Sequence, residues 1–426
     1  MTQARESADC SVIFMTYSEF VKEAMQHYKS LPIEMNELYK KYSLAIALPD
    51  NLNSGSAADA DLDKMVSQIS EKTRIKFDAV VTNSFARSSN PNVQITKAED
   101  ADEGMLENKI FKSSEDKLAA YINSKAKYFI KINTAKNAKS TLNILFATTG
   151  HLSAEVFVKS GESAKAEVSE FYFSSAADSA TISVLHEVEC AENSVMEINA
   201  FHNENERTSV VSLCKGGTGE KAKLYLNSVY CGSNATKARS ILDAKGQASR
   251  IDVTELAFGI SSQQFDIDTA IINSTPYSSV FLESGVVLDD LSKCMLKGFA
   301  KVADKTRGSV STIVEKGILM SKDAHMDALP DLSIDYSNEV KASHSASTTP
   351  IDQDALFYLT SRGIEESQAR KLFISAFISK YISKISSPSA REIAMSIMLD
   401  KLDKKTFGTL SEITPRNIWM VARPTR

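Results

Sequence analysis

The chain has 426 residues, of which 43% are hydrophobic and 24% are charged, ordinary values for a protein that buries a core. Its formal net charge of −5 excludes a global basic field that would draw it onto nucleic acid or an anionic membrane. We therefore expect neither nucleic acid nor a membrane among its partners.

The first residues, MTQARESADCSVIF, match neither a secretory signal nor a transit peptide, because they include acidic residues and only a short apolar run. No apolar stretch reaches the roughly 18–20 residues that a membrane span requires. The sequence therefore predicts a cytoplasmic protein. Its length favours two or three structural units over one compact domain.

Residues 1–105 are predicted to form an N-terminal, mostly helical region. Apolar residues recur at helical spacing between Phe20 and Tyr28, and a second helix is predicted over 62–75. The stretch 51–61 between them is polar and rich in Gly and Ser, which is typical of a loop.

Residues 106–345 are predicted to form a mainly β core. Short runs of alternating apolar and polar residues follow one another roughly every 8 to 12 residues, without a clear amphipathic helix between them. A β-sandwich would normally close within about 100–150 residues. The long uninterrupted run therefore favours a solenoid, in which each coil buries its inner face against its neighbours. No strict sequence repeat marks the coils.

Residues 346–426 are predicted to form a C-terminal helical domain with a basic tail. The pair Thr349–Pro350 has the residue types of an N-cap and a first helical position. The first helix should end before Gly363, a natural C′ residue. Two more helices are predicted over 365–385 and 390–402.

The cysteines do not form a local metal or disulfide pattern. The five are Cys10, Cys190, Cys214, Cys231 and Cys294. Since no CxxC pair occurs, we interpret each as a small buried apolar residue. A chain that held an iron–sulfur cluster by itself would group its cysteines more closely.

No catalytic constellation is visible, so the sequence predicts a protein that is not an enzyme. Residues 214–221 (CKGGTGEK) lack the Gly-Lys-[Ser/Thr] ending of a phosphate loop and should form a turn. Asp289 and Asp290, if adjacent on a strand, would point to opposite faces. The histidines show neither HxH nor HExxH spacing; they are His27, His151, His186, His202, His325 and His344.

One segment carries a more specific pattern than the rest of the chain. It reads Ser343-His344-Ser345-Ala346-Ser347-Thr348, Ile351-Asp352, Leu356-Phe357-Tyr358-Leu359 and Ser361-Arg362-Gly363-Ile364. This segment closely resembles the C-terminal signature of the SufB/SufD family of iron–sulfur cluster assembly scaffolds. Upstream, Gly285–Val302 and the stretch 319–332 are similar to further stretches of that family.

The resemblance implies a right-handed parallel β-helix flanked by N-terminal and C-terminal α-helical regions. In that family SufD pairs with SufB, and each binds the ABC-type ATPase SufC through its C-terminal helical region. His344 matches the histidine of the family's Ser-His motif. It is therefore the candidate cofactor-binding and metal residue, an iron–sulfur cluster ligand at the heterodimer interface. A neutral imidazole binds iron more weakly than a thiolate, which suits a labile site.

The resemblance also implies partners and cofactors. The cluster would be transient and shared with the SufB partner, and none would be held tightly by the isolated chain. A reduced flavin in the full complex, and a homodimer when the partner is missing, remain open alternatives. The residues expected to bind partners are Leu356, Phe357, Tyr358, Arg362, Leu372, Phe373 and Phe377.

Departures from the family pattern favour a SufD-like member over a SufB-like one. Glu315 stands where SufB has a cysteine, and Ser345 stands where SufB has a glutamate after the histidine. Ala342 replaces a cysteine found in many SufD sequences, and a family histidine is missing near Asn273. This chain cannot hold a cluster through its own thiolates, so its partner would supply most of the site.

Two alternatives stay open beside the scaffold subunit. One is a structural β-helix interaction module without cluster chemistry. The other, less favoured, is a carbohydrate-active β-helix enzyme such as a polysaccharide lyase, which would need an acid/base cluster. In the scaffold interpretation, we expect the β-helix edge strands to be paired across the heterodimer, because unpaired edges attract other strands.

Overall fold

The structure is a computed structural model that describes residues 15–34, 43–52, 59–107, 109–335 and 340–404. The predictions for Cys10 and for the basic tail after residue 404 lie outside these ranges. Within them, no helix combines the length and the apolar character needed to cross a bilayer. The helices of the described ranges are α1 (Tyr17–Ser30), α2 (Asp59–Thr73), α3 (Glu103–Glu107), α4 (Lys117–Lys125), α5 (Gln353–Ser361), α6 (Glu366–Ile382) and α7 (Pro388–Lys404).

Two long sheets make up most of the molecule. We call the first of them sheet A. Its strands, in spatial order, are β2 (Ala86–Ser88), β1 (Ala79–Thr82), β5 (Lys139–Thr148), β7 (Lys165–Ser174), β9 (Val195–Asn203), β11 (Lys223–Tyr230), β13 (Arg250–Gly259), β15 (Ser279–Leu288), β17 (Val310–Leu319) and β20 (Lys341–Pro350).

The second sheet, sheet B, contains the strands that alternate with these along the chain. In spatial order they are β18 (His325–Ala328), β16 (Lys293–Val302), β14 (Gln264–Asn273), β12 (Ala235–Ala244), β10 (Thr208–Thr218), β8 (Ala180–Cys190), β6 (His151–Ser160), β4 (Tyr128–Thr134) and β3 (Val93–Lys97). A further short strand, β19 (Asp331–Ile334), pairs with β16 beside β18.

From β4 onward the chain passes from one sheet to the other with each strand, and neighbouring strands in a sheet are parallel. The result is a parallel β-solenoid of about eight turns, which confirms the predicted fold class. The number of residues per coil varies. This is visible in the sequence separation of paired residues, which is smaller for Ser228 and Glu255 than for Ser284 and Glu315. This variation in coil length explains why no strict repeat is visible in the sequence.

The two sheets enclose an interior that we call the lumen. Because the strands pair in register, side chains of similar type stack on one another along the lumen. Each strand buries its inward face against the neighbouring coils. One inward row of sheet A is almost completely buried and consists of Leu142, Val168, Ile198, Leu226, Val253, Leu282 and Ile313.

The corners that lead from sheet B to sheet A share a backbone conformation and a type of hydrogen bond. In each, a residue with positive φ donates its N–H to a carbonyl of the next coil. A left-handed residue costs about 1–2 kcal/mol, and the inter-coil hydrogen bond helps to offset this cost. The residues are Asn137, Ser163, Asn193, Lys221, Ala248 and Tyr277.

Helices cover the outer faces of both sheets. Helices α2, α6 and α7 pack on sheet A in one apolar cluster that includes Phe171, Phe201 and Phe258. Helix α4 covers part of sheet B. The α7 residue Lys401 is 1% exposed and donates to backbone carbonyls of Cys231 and Phe258, which fixes this helix to the β-helix.

The structure differs from the predicted boundaries at two places. Strands β1 to β3 lie within the region predicted to be mostly helical, where they begin the two sheets. At the other end, Thr349–Pro350 belongs to β20, so the predicted N-cap is wrong; Asp352 caps α5 instead. Pairing with β17 extends the strand through Pro350, and proline is tolerated on an edge strand. The predicted C′ residue Gly363 is confirmed, with φ of +87°.

A candidate site at the open end of the β-helix

His344 lies on β20, the last strand of sheet A, opposite Ile313 of β17. Ile313 is fully buried in the lumen, and side chains directly opposite each other on paired strands share a face. His344 is nevertheless exposed. The imidazole therefore stands on the lumen face of the final coil, where no further described coil covers it.

Strand β20 is an open edge. Its residues are small and polar, nine of the ten are exposed, and among the described residues no strand pairs with its outer side. A polar contact with the preceding strand joins the hydroxyls of Thr312 and Ser343, 3.4 Å apart. An exposed row of unpaired backbone N–H and C=O groups is a template for another strand.

A row of polar side chains approaches this end from inside the lumen. Its outer members Glu255, Ser284 and Glu315 are register neighbours on β13, β15 and β17, and the next position on β20 is Ala346. The Ser284 hydroxyl donates to Glu255 Oε2 at 2.7 Å. We call Glu255, Ser284 and Glu315, with the more interior Glu170, Ala200 and Ser228, the lumen row; Ala200 is its one member without a hydrogen-bonding side chain.

Glu315 is the lumen-row residue nearest to the open end. It is 1% exposed, and burial, followed by the charge of Glu255, raises its pKa to about 8. Gly298 of β16 makes room for it, since a β-carbon there would lie 2.6 Å from Glu315 Oε1. Position 315, singled out in the sequence as a departure from the family pattern, thus holds a buried carboxyl group.

The inner end of the lumen row holds a buried ion pair. Glu170 Oε2 lies 2.8 Å from His186 Nε2 and accepts a hydrogen bond from the Tyr172 hydroxyl at 2.7 Å. His186 Nδ1 lies 3.3 Å from the carbonyl oxygen of Leu213. Both ring nitrogens thus face acceptors, an arrangement that favours the doubly protonated imidazolium.

Metal-binding capacity at the open end is limited to single side chains. In the part of the chain that the structure describes, no group of three or more His, Cys, Asp or Glu side chains is placed to hold a metal ion. The four described cysteines are free and buried, as predicted. Among the described residues His344 therefore offers one imidazole ligand at the open end.

The predicted partner-binding residues divide into an exposed and a buried group. Phe357, Tyr358 and Leu372 are 73%, 58% and 38% exposed. The Arg362 guanidinium is also exposed and lies 5.2 Å from the centre of the Tyr358 ring. Exposed aromatic groups beside an arginine are typical of protein interfaces.

The remaining three predicted residues serve the chain's own packing. Leu356 is buried with Ala369 and Ile378 in the cluster between the helices and sheet A. Phe373 and Phe377 are half-buried against the same cluster. Leu356 therefore supports α5 from beneath instead of presenting a surface.

Two features that resembled sites in the sequence occupy corners of the solenoid. Asp289 and Asp290 lie in the turn after β15, and not on a strand as expected; Asp290 accepts a hydrogen bond from the Ser261 N–H at 2.9 Å. Of residues 214–221, the first five end β10 and the rest form the expected turn. Neither feature has the geometry of a catalytic or phosphate site.

Sequence reasoning missed the buried ionisable groups of the lumen. Glu170 and Glu255 each occupy an inward position within an alternating strand, between apolar inward neighbours. A charged residue at an inward position of an alternating pattern was the available signal. The spacing could not reveal that they share one row, because coil lengths vary.

Comparison with known proteins agrees with this arrangement. The family model described as "SUF system FeS cluster assembly, SufBD core domain" matches residues 144–377. The iron–sulfur cluster assembly protein SufD of Escherichia coli K12 is 26% identical over 158 residues, covering 37% of each chain. A SufBD family protein of Mycobacterium leprae is 26% identical over 181 residues, 41% of this chain and 46% of that protein.

The structure is a parallel β-helix with an open, histidine-bearing end and helices on its outer faces. The chain belongs to the SufBD family of iron–sulfur cluster assembly proteins, whose core domain spans more than half of it. The aligned segments cover less than half the length of each curated relative described above.

Proposed function

We propose that this chain is a SufD-like, non-catalytic subunit of an iron–sulfur cluster assembly scaffold. It pairs with a SufB-like chain through its last β-coils and with a SufC-like ATPase through residues 346–402. The observation that carries the proposal is the open edge strand β20, which presents His344 on the lumen face beside an unpaired backbone edge.

The edge strand supports the pairing with a SufB-like chain. A partner strand that adds to β20 would satisfy its free backbone groups and bring the partner's side chains over the end of the lumen. His344 would then lie at the interface, next to ligands from the partner. The nascent cluster is cargo shared between the chains, with ATP hydrolysis by the SufC-like partner.

The helices after β20 support the pairing with an ATPase. Only Ile351 and the N-cap Asp352 separate β20 from α5, and α5 exposes Phe357 and Tyr358 to solvent. Adjacent large apolar side chains that are exposed on a helix are candidates for an interface hot spot. Leu356 on the buried face holds α5 against the molecule.

Anaerobic co-purification tests this proposal. Tagged chain is expressed with its SufB-like and SufC-like partners, as wild type and as His344→Ala, and iron and sulfide are measured in the complex. We expect a stable complex in both cases and a loss of iron and sulfide in the variant. Ser343→Ala, on the neighbouring but outward position, is the matched control.

The outcomes separate the alternatives. If the complex keeps its iron when His344 is replaced, the chain is a structural interaction module without cluster chemistry. The small number of candidate ligands among the described residues also fits that function. Failure to form any complex would contradict the scaffold assignment itself. Cleavage of uronic-acid polymers by the purified chain would favour the enzyme alternative.

A further inference from the structure

The lumen row offers hydrogen-bonding groups along the inside of the β-helix, out to its open end. Pairing in register places one residue of the row on each strand of sheet A from β7 to β17. In order they are Glu170, Ala200, Ser228, Glu255, Ser284 and Glu315. Neighbouring strands are about 4.8 Å apart, so hydroxyl and carboxyl groups on adjacent strands come within hydrogen-bonding reach.

The outer half of the row is linked by hydrogen bonds on both carboxylate oxygens of Glu255. Oε1 accepts from the Thr269 hydroxyl at 2.5 Å, and Oε2 accepts from the Ser284 hydroxyl at 2.7 Å. Burial raises the pKa of Glu255, and the nearby charge of Asp268 raises it further. Both linked hydroxyls can donate and accept at once, which a proton-transfer chain requires.

Glu315 continues the row one strand further out, next to Ser284. One water molecule is enough to bridge a gap of a single strand spacing between a hydroxyl and a carboxyl group. Besides Glu255, the Gly298 backbone N–H also faces this carboxyl group. The Gly298 N–H favours the charged form of the carboxyl group, but burial and the charge of Glu255 outweigh this effect and raise the pKa of Glu315.

Aromatic and imidazole groups are stacked along the inner half, where they fill the lumen but do not extend the hydrogen-bonded path. The Tyr230 hydroxyl lies near Glu255, whose charge, after burial, raises the pKa of Tyr230. The Tyr230 ring stacks on His202 with centroids 5.1 Å apart, and His202 stacks on Tyr172 at 4.3 Å. The Tyr172 hydroxyl then reaches Glu170. Ionisable groups thus extend from β7 to β17 inside the lumen.

We propose that Glu255, Ser284 and Glu315, the outer half of the lumen row, form a proton relay that leads from the open end of the β-helix to the buried Glu255 carboxylate. In its central step the Glu315 carboxyl group gives a proton toward the Ser284 oxygen, while the Ser284 hydroxyl gives its own proton to the Glu255 carboxylate. Each hop breaks one O–H bond and forms another. No electron is transferred, so no oxidant or reductant is required.

The use of such a relay rests on the function proposed above. A hydrosulfide that becomes a sulfide bridging two iron ions must lose its proton, and a site closed by a partner chain excludes bulk water as the acceptor. A relay that opens on the lumen face of the last coil gives that proton a buried acceptor, the Glu255 carboxylate. Ser284 and Glu255 are two and three strands from His344, so variants there leave the candidate ligand unchanged.

Proton exchange in the isolated chain tests the relay. The protein is mixed rapidly with D2O, and the infrared C=O stretch of protonated carboxyl groups follows their deuteration. The band that disappears in Glu255→Gln is assigned to Glu255. We expect its exchange to slow at least tenfold in Ser284→Ala, and to be restored in Ser284→Thr, which keeps a hydroxyl group.

Ser279→Ala, on the same strand but outside the lumen row, is the matched control and should exchange at the wild-type rate. Equal exchange in Ser284→Ala and wild type, or no band lost in Glu255→Gln at any pH at which the protein is folded, would overturn the relay. If Ser284→Ala does not fold, Ser284→Cys provides the same comparison with a poor proton carrier. The assay needs neither partner nor cluster, so its failure is distinct from failure of the co-purification.

Discussion

Gly285 lies directly against the ring of Tyr381, which holds helix α6 close to sheet A. A β-carbon at position 285 would stand 2.4 Å from Tyr381 Cζ, far inside van der Waals contact. Lys380 of this helix and Lys384, just after its end, form ion pairs with Glu283, two residues earlier on β15. The close contact between α6 and sheet A therefore requires a residue without a side chain at position 285.

We predict that Gly285→Ala destabilises the protein by about 1–3 kcal/mol, the usual cost of overpacking a filled interface. Urea unfolding followed by circular dichroism measures the loss. Tyr381→Leu in the same background should recover part of it, since the clash involves the ring. Additive effects of the two substitutions would contradict direct contact.

Substitutions on α5 should distinguish residues of the proposed docking surface from residues of the core. Phe357→Ser and Tyr358→Ser should change the free energy of unfolding by no more than about 0.5 kcal/mol, because both side chains are exposed. Both should weaken capture of the SufC-like ATPase in a pull-down. Leu356→Ala should instead cost about 2–5 kcal/mol of stability, because it empties a buried site. Full ATPase binding by the Phe357 and Tyr358 variants would contradict the docking surface.

The His186–Glu170 pair should make stability depend on pH. Burial lowers the pKa of His186, but the Glu170 carboxylate outweighs this effect and raises it above its ordinary 6.5. The contribution of charged His186 to the free energy of unfolding is therefore complete below pH 6.5. It is lost as the pH rises through the raised pKa of His186 in the folded protein. We expect the destabilisation by His186→Gln to shrink as urea unfolding is repeated at increasing pH from 6 to 9.

His151→Gln is a control whose effect on stability should depend on pH in the opposite direction. Burial lowers the pKa of His151, so the folded state binds fewer protons than the unfolded chain and loses stability as the pH falls. Replacing this histidine should therefore increase the free energy of unfolding at acidic pH. Equal pH profiles for the His186 and His151 variants would refute the pairing of His186 with Glu170.

A buried ion network fixes the N-terminal segment onto sheet B. Glu34, which is 2% exposed, is held by Lys237 at 2.8 Å and by Arg239 at 2.9 Å. Lys237 also pairs with Asp266 at 2.6 Å. We predict that Lys237→Met costs about 1–3 kcal/mol, because it removes a buried cation from Glu34 and Asp266, which keep Arg239 and Lys297 as partners.

Hydrogen exchange would locate this effect. Amides of α1 and of residues 43–52 should lose protection in Lys237→Met, whereas those of α6 should not. Lys159→Met is the matched control, since its pair with Glu189 is solvent-exposed and should contribute about 0–1 kcal/mol. Unchanged protection around Glu34 would show that the network does not hold the segment.

The sequence by itself determined the fold class and the family. Alternating apolar residues need one covered face over about two hundred residues, which the inside of a solenoid provides, and the motif around His344 specified the family. It also specified the stop at Gly363, because that position requires positive φ. These features depend on neighbours in the chain.

Tertiary structure alone decided which residues meet across coils. Glu170, Glu255 and Glu315 form one row because strand pairing sets their register, and coil lengths that vary from turn to turn hide that register from the sequence. Thr349–Pro350 has the composition of a helix start, yet it ends a strand because β17 offers a pairing edge. Local chemistry predicts elements, whereas the sites between them depend on pairing and burial, which no local pattern encodes.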